Sequence, residues 1–158
     1  MLLQKLEKLA VDGDPYSRRA LALRLSDLYL MGTHEPSKDE QVLFDSVIFQ
    51  VVDDLTEGVV ATLSEMLCRT PRISSDMAYK FASNDQIEIA RPMLERSPCL
   101  TDEQILEICN TKSDAHANAI ARRERIHEAV SLTLAQKGSM RTLQTVAAND
   151  GAQFGKTG

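Results

Sequence analysis

Residues 81–96 read FASNDQIEIARPMLER, and this stretch decides the fold class that the sequence predicts. It joins the end of one apolar helical pattern to the start of the next through the polar residues Asn84 and Asp85. Asp is a favoured N-cap because its side chain accepts a hydrogen bond from a free amide of the first helical turn. We therefore predict a helix over residues 87–94 that is capped by Asp85. Pro92 is expected to bend or shorten this helix, because proline has no amide hydrogen.

The same helix signals continue on both sides of this stretch. Asp14 is a good N-cap, and residues 37–40 (SKDE) and 101–104 (TDEQ) are capping-box sequences, in which the first and fourth side chains each accept from the other residue's amide. His127 precedes a further apolar pattern, which Gly138 ends. The pattern predicts about ten short helices joined by connections of roughly two to six residues. The expected fold class is all-α.

The composition of the 158-residue chain agrees with a helical globular protein. Hydrophobic residues make up 43% and charged residues 26%, which are ordinary values for a folded domain. Aromatic residues reach only 4%, and this is low for a β-sandwich or β-barrel. The net charge of −5 argues against general nucleic-acid binding, which requires a basic surface.

The start of the chain lacks the features of a signal peptide or a membrane span. Leu2, Leu6 and Leu9 form a helical stripe interrupted by charged residues, and no apolar run has the required length. The three cysteines contain no CxxC pair, which favours a reducing compartment. We therefore predict a cytoplasmic location and no membrane insertion.

Two short sequence echoes indicate an internal repeat. Residues 81–85 (FASND) resemble residues 146–150 (VAAND) at an offset of 65, and residues 89–91 (IAR) recur as residues 120–122 at an offset of 31. Aspartates also recur near the predicted start of the first helix of each pair, with spacings of 40, 31, 29 and 36: Asp14, Asp54, Asp85, Asp114 and Asp150. Irregular spacing of this kind is typical of degenerate HEAT-like repeats, in which each helical pair packs against its neighbours.

We therefore predict a HEAT-like α-α superhelix, a right-handed solenoid of about five degenerate helical pairs, as a single domain over residues 1–158. The alternative is a compact helical bundle in which the echoes arise by chance. Residues 149–154 read as the opening of another repeat, and no polar capping helix follows them. The expectation is a truncated C-terminal repeat in a fragment of a longer protein, or a last helix that packs against a partner or a second copy.

Residues 82–98, ASNDQIEIARPMLERSP, resemble the signature of a bacterial family of helical-repeat proteins filed as domain of unknown function 2336. The similarity continues through residues 100–103, 115–116, 120–123, 40–67 and 147–152. The resemblance covers nearly the whole chain and implies a HEAT-like superhelix. It implies no activity, substrate or catalytic residue.

Charge is distributed unevenly along the chain. The acidic first part, residues 1–66, contains 6 Lys and Arg against 12 Asp and Glu, whereas the more basic repeats, residues 67–158, contain 12 against 11. Such asymmetry suits recruitment of a basic partner by the acidic part, or steering of self-association. Ordinary solvated helix faces are the alternative interpretation.

The arginines of the second part are the main candidates for ligand contact. A guanidinium group binds a carboxylate or phosphate through two hydrogen bonds, so a row of them suits a nucleotide or an acidic peptide. The alternative is that each arginine pairs with an acidic residue and ties neighbouring repeats together. We favour this structural role for Arg91 and Arg122, whereas Arg123 and Arg125 are the better ligand candidates. The predicted binding residues are Arg91, Arg122, Arg123, Arg125, Asp53, Asp54 and Glu57.

The sequence assembles no catalytic or metal site. The histidines, predicted at the surface or at helix starts, and the cysteines, predicted to pack as small apolar residues, are scattered: His34, His116, His127, Cys68, Cys99 and Cys109. Residues 155–158 (GKTG) resemble the end of a P-loop, but the first glycine of that motif would fall at Asp150. We therefore predict no catalytic residue, no metal and no cofactor.

The predicted function is a non-catalytic protein–protein interaction or scaffold module, in which a curved face displays polar and basic side chains to a partner segment. The alternative is a regulatory module that binds an anionic nucleotide or second messenger through its arginines. The expected partner is another protein or a second copy of this chain, including a homodimer through the uncapped C-terminal end.

Overall fold

The computed structural model describes residues 13–31 and 37–152, apart from the side chains of residues 28 and 29. These residues form nine helices: α1 (Pro15–Met31), α2 (Lys38–Val52), α3 (Glu57–Leu67), α4 (Ser75–Ala82), α5 (Ile87–Arg96), α6 (Asp102–Thr111), α7 (Asp114–Ala121), α8 (Glu128–Lys137) and α9 (Met140–Ala148). Within the described ranges the only β-type pairing is an isolated bridge between Ile126 and Ala152. The all-α prediction is confirmed. The leucine stripe of residues 2–9 and the GKTG tail lie outside the described residues.

Side chains cap the helix starts at several of the predicted places. The Ser17 amide donates to Asp14 Oδ1 at 2.7 Å, and the Glu40 amide donates to Ser37 Oγ. Thr101 and Gln104 form a complete capping box at α6. Each cap satisfies a donor that the helix cannot satisfy itself, which helps these helices of 17, 15 and 10 residues to form.

The prediction that Asp85 caps α5 is wrong. Gln86 is the residue that precedes the helix, and the Asp85 carboxylate instead binds Lys112 Nζ at 2.7 Å. Pro92 is buried within α5, and the helix continues past it to Arg96. A cross-helix ion pair has therefore replaced the local cap that the sequence suggested.

The principal helix contacts join helices that are adjacent or next but one along the chain. The odd-numbered helices pack in sequence, because α1 contacts α3, α3 contacts α5, α5 contacts α7, and α7 contacts α9. Among the even-numbered helices, α6 packs on α8. One hydrophobic cluster runs from Ala22 in α1 to Val146 in α9. Burial of each large apolar side chain contributes roughly 1.5–3 kcal/mol, so neighbouring helices hold one another in place.

Lysines at the ends of even-numbered helices contact polar groups at the ends of the preceding even-numbered helices. We call these contacts the lysine ties: Lys80 with Asp53 at 3.2 Å, Lys112 with Asp85 at 2.7 Å, and Lys137 with Asn110. Each tie joins residues 27 apart in sequence. Such pairs are partly exposed and therefore individually weak. The three ties nevertheless share one sequence offset, so they recur at corresponding places near the ends of successive even-numbered helices.

A buried histidine, His116, connects α7 to an earlier part of the chain. His116 is only 1% exposed, so its predicted place near a helix start is confirmed but a surface position is wrong. Its Nδ1 lies 2.7 Å from Ser113 Oγ, and its Nε2 lies 2.8 Å from the Asn84 carbonyl oxygen. A carbonyl oxygen only accepts, so Nε2 carries a proton. The imidazole thus joins α7 to the turn that follows α4.

The 65-residue echo has a local cause. Asn84 Oδ1 accepts from the Gln86 amide and Asn149 Oδ1 accepts from the Gly151 amide, both at 2.8 Å. These are equivalent Asx turns, but one follows the even-numbered α4 and the other the odd-numbered α9. The echo therefore repeats a turn and does not mark equivalent places in the helix order. From α3 onward, the odd-numbered helices begin 30, 27 and 26 residues apart.

Replacing Gly151 with alanine is expected to destabilise the fold. A Cβ atom there would lie 1.7 Å from the Glu124 carbonyl oxygen, so backbone must move, at a cost of about 2 kcal/mol. Gly58→Ala is the matched control, because nothing lies within 4 Å of that position in α3. Alanine is the better helix former, so this variant should gain about 0.5–1 kcal/mol. Urea unfolding measures both; an unchanged Gly151→Ala protein would contradict the close approach.

Acid is expected to weaken the attachment of α9 through Asp114. Hydrogen bonds from the side chain and backbone of Ser139 lower the pKa of Asp114 from its usual 3.8. The stabilisation is therefore present above about pH 4 and is lost as the pH falls through the lowered pKa. Asp114→Asn should flatten the loss of stability with acid, measured by urea unfolding between about pH 3 and 7.

Asp45 provides a control of opposite sign. Burial raises the pKa of its carboxyl group, so ionisation costs stability as the pH rises through the interval between its unfolded and folded pKa values. Asp45→Asn should therefore gain stability relative to the parent protein above that interval. Equal pH slopes for the two variants would contradict these assignments.

Candidate functional site

Three adjoining depressions share Arg122, the residue that follows α7 directly. Their volumes are about 810, 560 and 340 Å³, and the largest is lined by residues at or beyond the C-terminal ends of α3, α5 and α7. We call the arginines that line the three depressions the arginine face: Arg69, Arg91, Arg96, Arg122, Arg123, Arg125 and Arg141.

The arginine face is positively charged although the chain as a whole is acidic. Seven arginines line the depressions together with three carboxylates, from Glu95, Asp114 and Glu124, whereas the chain carries −5. Three of the lysines, by contrast, form the lysine ties. The positive charge of this surface therefore comes from guanidinium groups, which bind carboxylates and phosphates with defined geometry.

Arg123, one of the two predicted ligand candidates, is bound to the end of α5. Its Nη1 donates to the Leu94 carbonyl at 2.7 Å and lies 3.4 Å from the Met93 carbonyl, while Nη2 donates to the Ser97 carbonyl at 2.6 Å. Burial lowers the pKa of this guanidinium. Arg123 therefore serves as a C-terminal cap for α5, the preceding odd-numbered helix.

Two other arginines contact glutamates on the preceding odd-numbered helix. Arg96 Nη1 lies 2.7 Å from Glu65, and Arg122 Nη1 lies 3.9 Å from Glu95. The Arg122 contact agrees with the structural role favoured from the sequence, although it is long and half of the Arg122 side chain is exposed. Both pairs tie successive odd-numbered helices.

The guanidinium groups of four members of the arginine face have no hydrogen bond or ion pair with another described residue. They are Arg69, Arg91, Arg125 and Arg141, and all four are exposed. The ion pair that the sequence favoured for Arg91 is thus not observed among the described residues. The guanidinium group of Arg125 has no partner among them, as expected for the better ligand candidate. These four guanidinium groups can donate to an anionic partner, and Arg141 also attracts the Asp114 carboxylate.

Sequence reasoning missed Arg69, Arg96 and Arg141. A signal was present, because Arg69, Arg96 and Arg123 are each 27 residues apart and stand at or just beyond the ends of α3, α5 and α7. The offset is the same as that of the lysine ties. The spacing of the aspartates does not reveal this 27-residue offset, because several of those aspartates do not occupy equivalent places.

The predicted acidic candidates do not line the three depressions. Asp53 contacts Lys80 and Asp54 binds Arg18 at 2.9 Å, so both take part in ion pairs within the chain. Glu57 lies in the first turn of α3 and borders a separate depression of about 220 Å³.

No described group of three His, Cys, Asp or Glu side chains has the geometry of a metal site. The cysteines have no disulfide partners, and burial raises the pKa of the Cys109 thiol to about 12. That thiol is therefore protonated and unreactive at neutral pH. None of the described helices is long and apolar enough to cross a membrane.

Residues 89–158 match the model of a protein family described as an uncharacterised protein conserved in bacteria, DUF2336. The matched segment covers 70 of the 158 residues. The match confirms the resemblance to this family over residues 89–158, whereas residues 40–67 and 82–88, which also carried the predicted resemblance, lie outside it. Every member of the arginine face except Arg69 lies within the matched segment. No curated protein and no solved structure matches the chain.

Exchange of Arg123 for glutamine is expected to destabilise the fold by about 2 kcal/mol, because three carbonyl oxygens lose their half-buried donors. Arg125→Gln removes the same charge from an exposed side chain and should change stability by less than about 0.5 kcal/mol. Urea unfolding of the two variants measures the difference. Equal losses would contradict the distinction between a structural and a free arginine.

Proposed function

We propose that the chain is a non-catalytic protein-interaction module, a right-handed α-α superhelix of about five degenerate helical pairs that binds partners through its arginine face. The observation that carries this proposal is the set of four exposed arginines, Arg69, Arg91, Arg125 and Arg141, without partners among the described residues.

The superhelical arrangement is supported by the order of the helix contacts. Successive odd-numbered helices pack on one another, and the lysine ties and the Arg123 contacts join elements 26 to 30 residues apart. Nearest-neighbour contacts of this kind are typical of repeat arrays. The recurring offset near 27 residues is shorter than the roughly 40–47 residues of a HEAT unit, so the resemblance to HEAT repeats lies in the stacking.

A binding role is supported by the chemistry of the face. Guanidinium groups remain protonated, donate hydrogen bonds and attract anions, but they do not act as nucleophiles or bases at neutral pH. A surface with a net positive charge gains specificity and association rate from electrostatic complementarity with an acidic partner. The module would work in the cytoplasm, where its three thiols stay reduced.

An anionic nucleotide is the second candidate ligand. The largest depression, about 810 Å³, has the volume of a small-molecule site. Its lining contains no aromatic side chain on which a base could stack, and its charges are distributed over residues from several helices. These features favour a polypeptide partner over a nucleotide.

Site-specific photo-cross-linking in bacterial cells tests the proposed function. A photoreactive residue at Gln144, which lines the arginine face, should capture a polypeptide, which can include a second copy of the chain. The same residue at Gln136, exposed on α8 and outside the three depressions, is the matched control. Capture should decrease when Arg91 and Arg125 are both changed to glutamine. Capture only at Gln136, or no capture together with an ATP-induced rise in Tm, would overturn the proposal.

A further inference from the structure

One depression of the arginine face, of about 340 Å³, is lined by residues of α5, α7 and α9 and by Arg122. We call it the α7 depression. Resting on the proposed function, we infer that the α7 depression binds the C-terminal carboxylate of a partner polypeptide. Arg91 and Arg141 hold the carboxylate, and the side-chain oxygen of Asn118 accepts from the last backbone amide of the partner.

One face of α7 forms a side of this depression. Residues three or four apart share a helix face, and four such residues line it: Ala115, Asn118, Ala119 and Arg122. Arg91 of α5 and Arg141 of α9 line the same depression. The two alanines have small side chains, so the main chain of a ligand can approach the helix closely.

Asn118 offers an unused acceptor at this place. The residue is only 8% exposed. Thr145 Oγ1 donates to the Arg141 carbonyl at 3.0 Å and accepts from Asn118 Nδ2 at 3.1 Å, which fixes the orientation of the carboxamide. The oxygen of the Asn118 carboxamide has no hydrogen bond with another described residue. It is not fully enclosed, so an N–H group of a ligand can reach it.

The charge of the α7 depression suits a single carboxylate. Three arginines and two carboxylates line it, which gives a net charge of +1. Asp114 already accepts three hydrogen bonds within the chain, and Glu95 lies 3.9 Å from Arg122. The guanidinium groups of Arg91 and Arg141 have no partner among the described residues. A phosphate group carries a charge of about −2 at neutral pH and would be repelled more strongly by the two carboxylates.

A chain end fits this depression better than an internal acidic side chain does. In a terminal residue the carboxylate and the backbone amide are joined through one Cα atom, so both can reach groups that line one small depression. Its volume is at the lower end of the roughly 300–1,000 Å³ of ligand pockets, and a chain that ends there needs only one exit. Arg122 also borders the other two depressions, so the preceding residues of the partner can extend along the arginine face.

Chemical-shift titration of the full chain by proton–nitrogen NMR with three acetylated tripeptides tests the inference. The first is acetyl-Ser-Ala-Ala with a free carboxylate, and the second is the same peptide with a C-terminal amide. The third is acetyl-Ser-Asp-Ala amide, which carries its negative charge on a side chain.

The peptide with the free carboxylate should shift the side-chain amide resonances of Asn118. It should bind at least about fivefold more tightly than either amidated peptide, because only it places the carboxylate and the last amide together. Equal affinity of the first two peptides would overturn the role of the carboxylate. Equal affinity of the first and third would overturn the preference for a chain end.

Matched variants locate the site. Changing both Arg91 and Arg141 to glutamine should reduce affinity for the free-carboxylate peptide by about five- to tenfold, since two exposed ion pairs are lost. Changing both Arg69 and Arg125 to glutamine removes the same charge from the largest depression and should change affinity less than about twofold. Equal effects of the two double variants would overturn the placement.

The outcome separates this inference from the proposed function. Absence of binding to all three peptides, with polypeptide capture retained at Gln144, would reject the chain end and leave the interaction module in place. Binding of ATP with neither peptide binding nor capture would reject both.

Discussion

Much of this structure depends on hydrogen bonds between the free amides and carbonyls at the ends of short helices and side chains that are distant in sequence. From α3 onward the helices have eight to eleven residues, so a large share of their amides and carbonyls lack partners within the helix. Arg123 supplies donors to the end of α5, Asn149 supplies donors to the end of α7, and Asp114 accepts from the start of α9. The C-terminal ends of α5 and α7 and the start of α9 are thereby completed by side chains from other parts of the chain.

The lysine and arginine side chains fall into two groups, those that hold the fold together and those that do not. Lys80, Lys112 and Lys137 form the lysine ties, and Arg123 caps a helix, so these side chains are committed to the fold. The unpaired members of the arginine face make no contact that holds the fold together. There is one in or just after each odd-numbered helix from α3 to α9. Surface charge with no structural role is the kind that a binding partner can use at little cost to stability.

Local features of the fold could be predicted from the sequence, whereas contacts between residues that are distant in sequence could not. The capping box at Thr101 and the helix start after His127 depend on residues close in sequence, and both are confirmed. Asp85 was predicted as a cap because its local propensity is strong, but Lys112, 27 residues further on, binds it instead. Arg123 and Arg125 have the same residue type two positions apart, and only tertiary packing decides that one is buried against carbonyls and the other is free.

Hydrogen exchange measured by mass spectrometry on an Asn149→Ala variant tests the central claim, that side chains distant in sequence complete the ends of the short helices. The account predicts faster exchange in residues 119–126, where Asn149 binds the Ala121 and Arg123 carbonyls, and unchanged exchange in α1 to α4. A uniform increase through the whole chain, or an increase confined to residues around position 149, would contradict it.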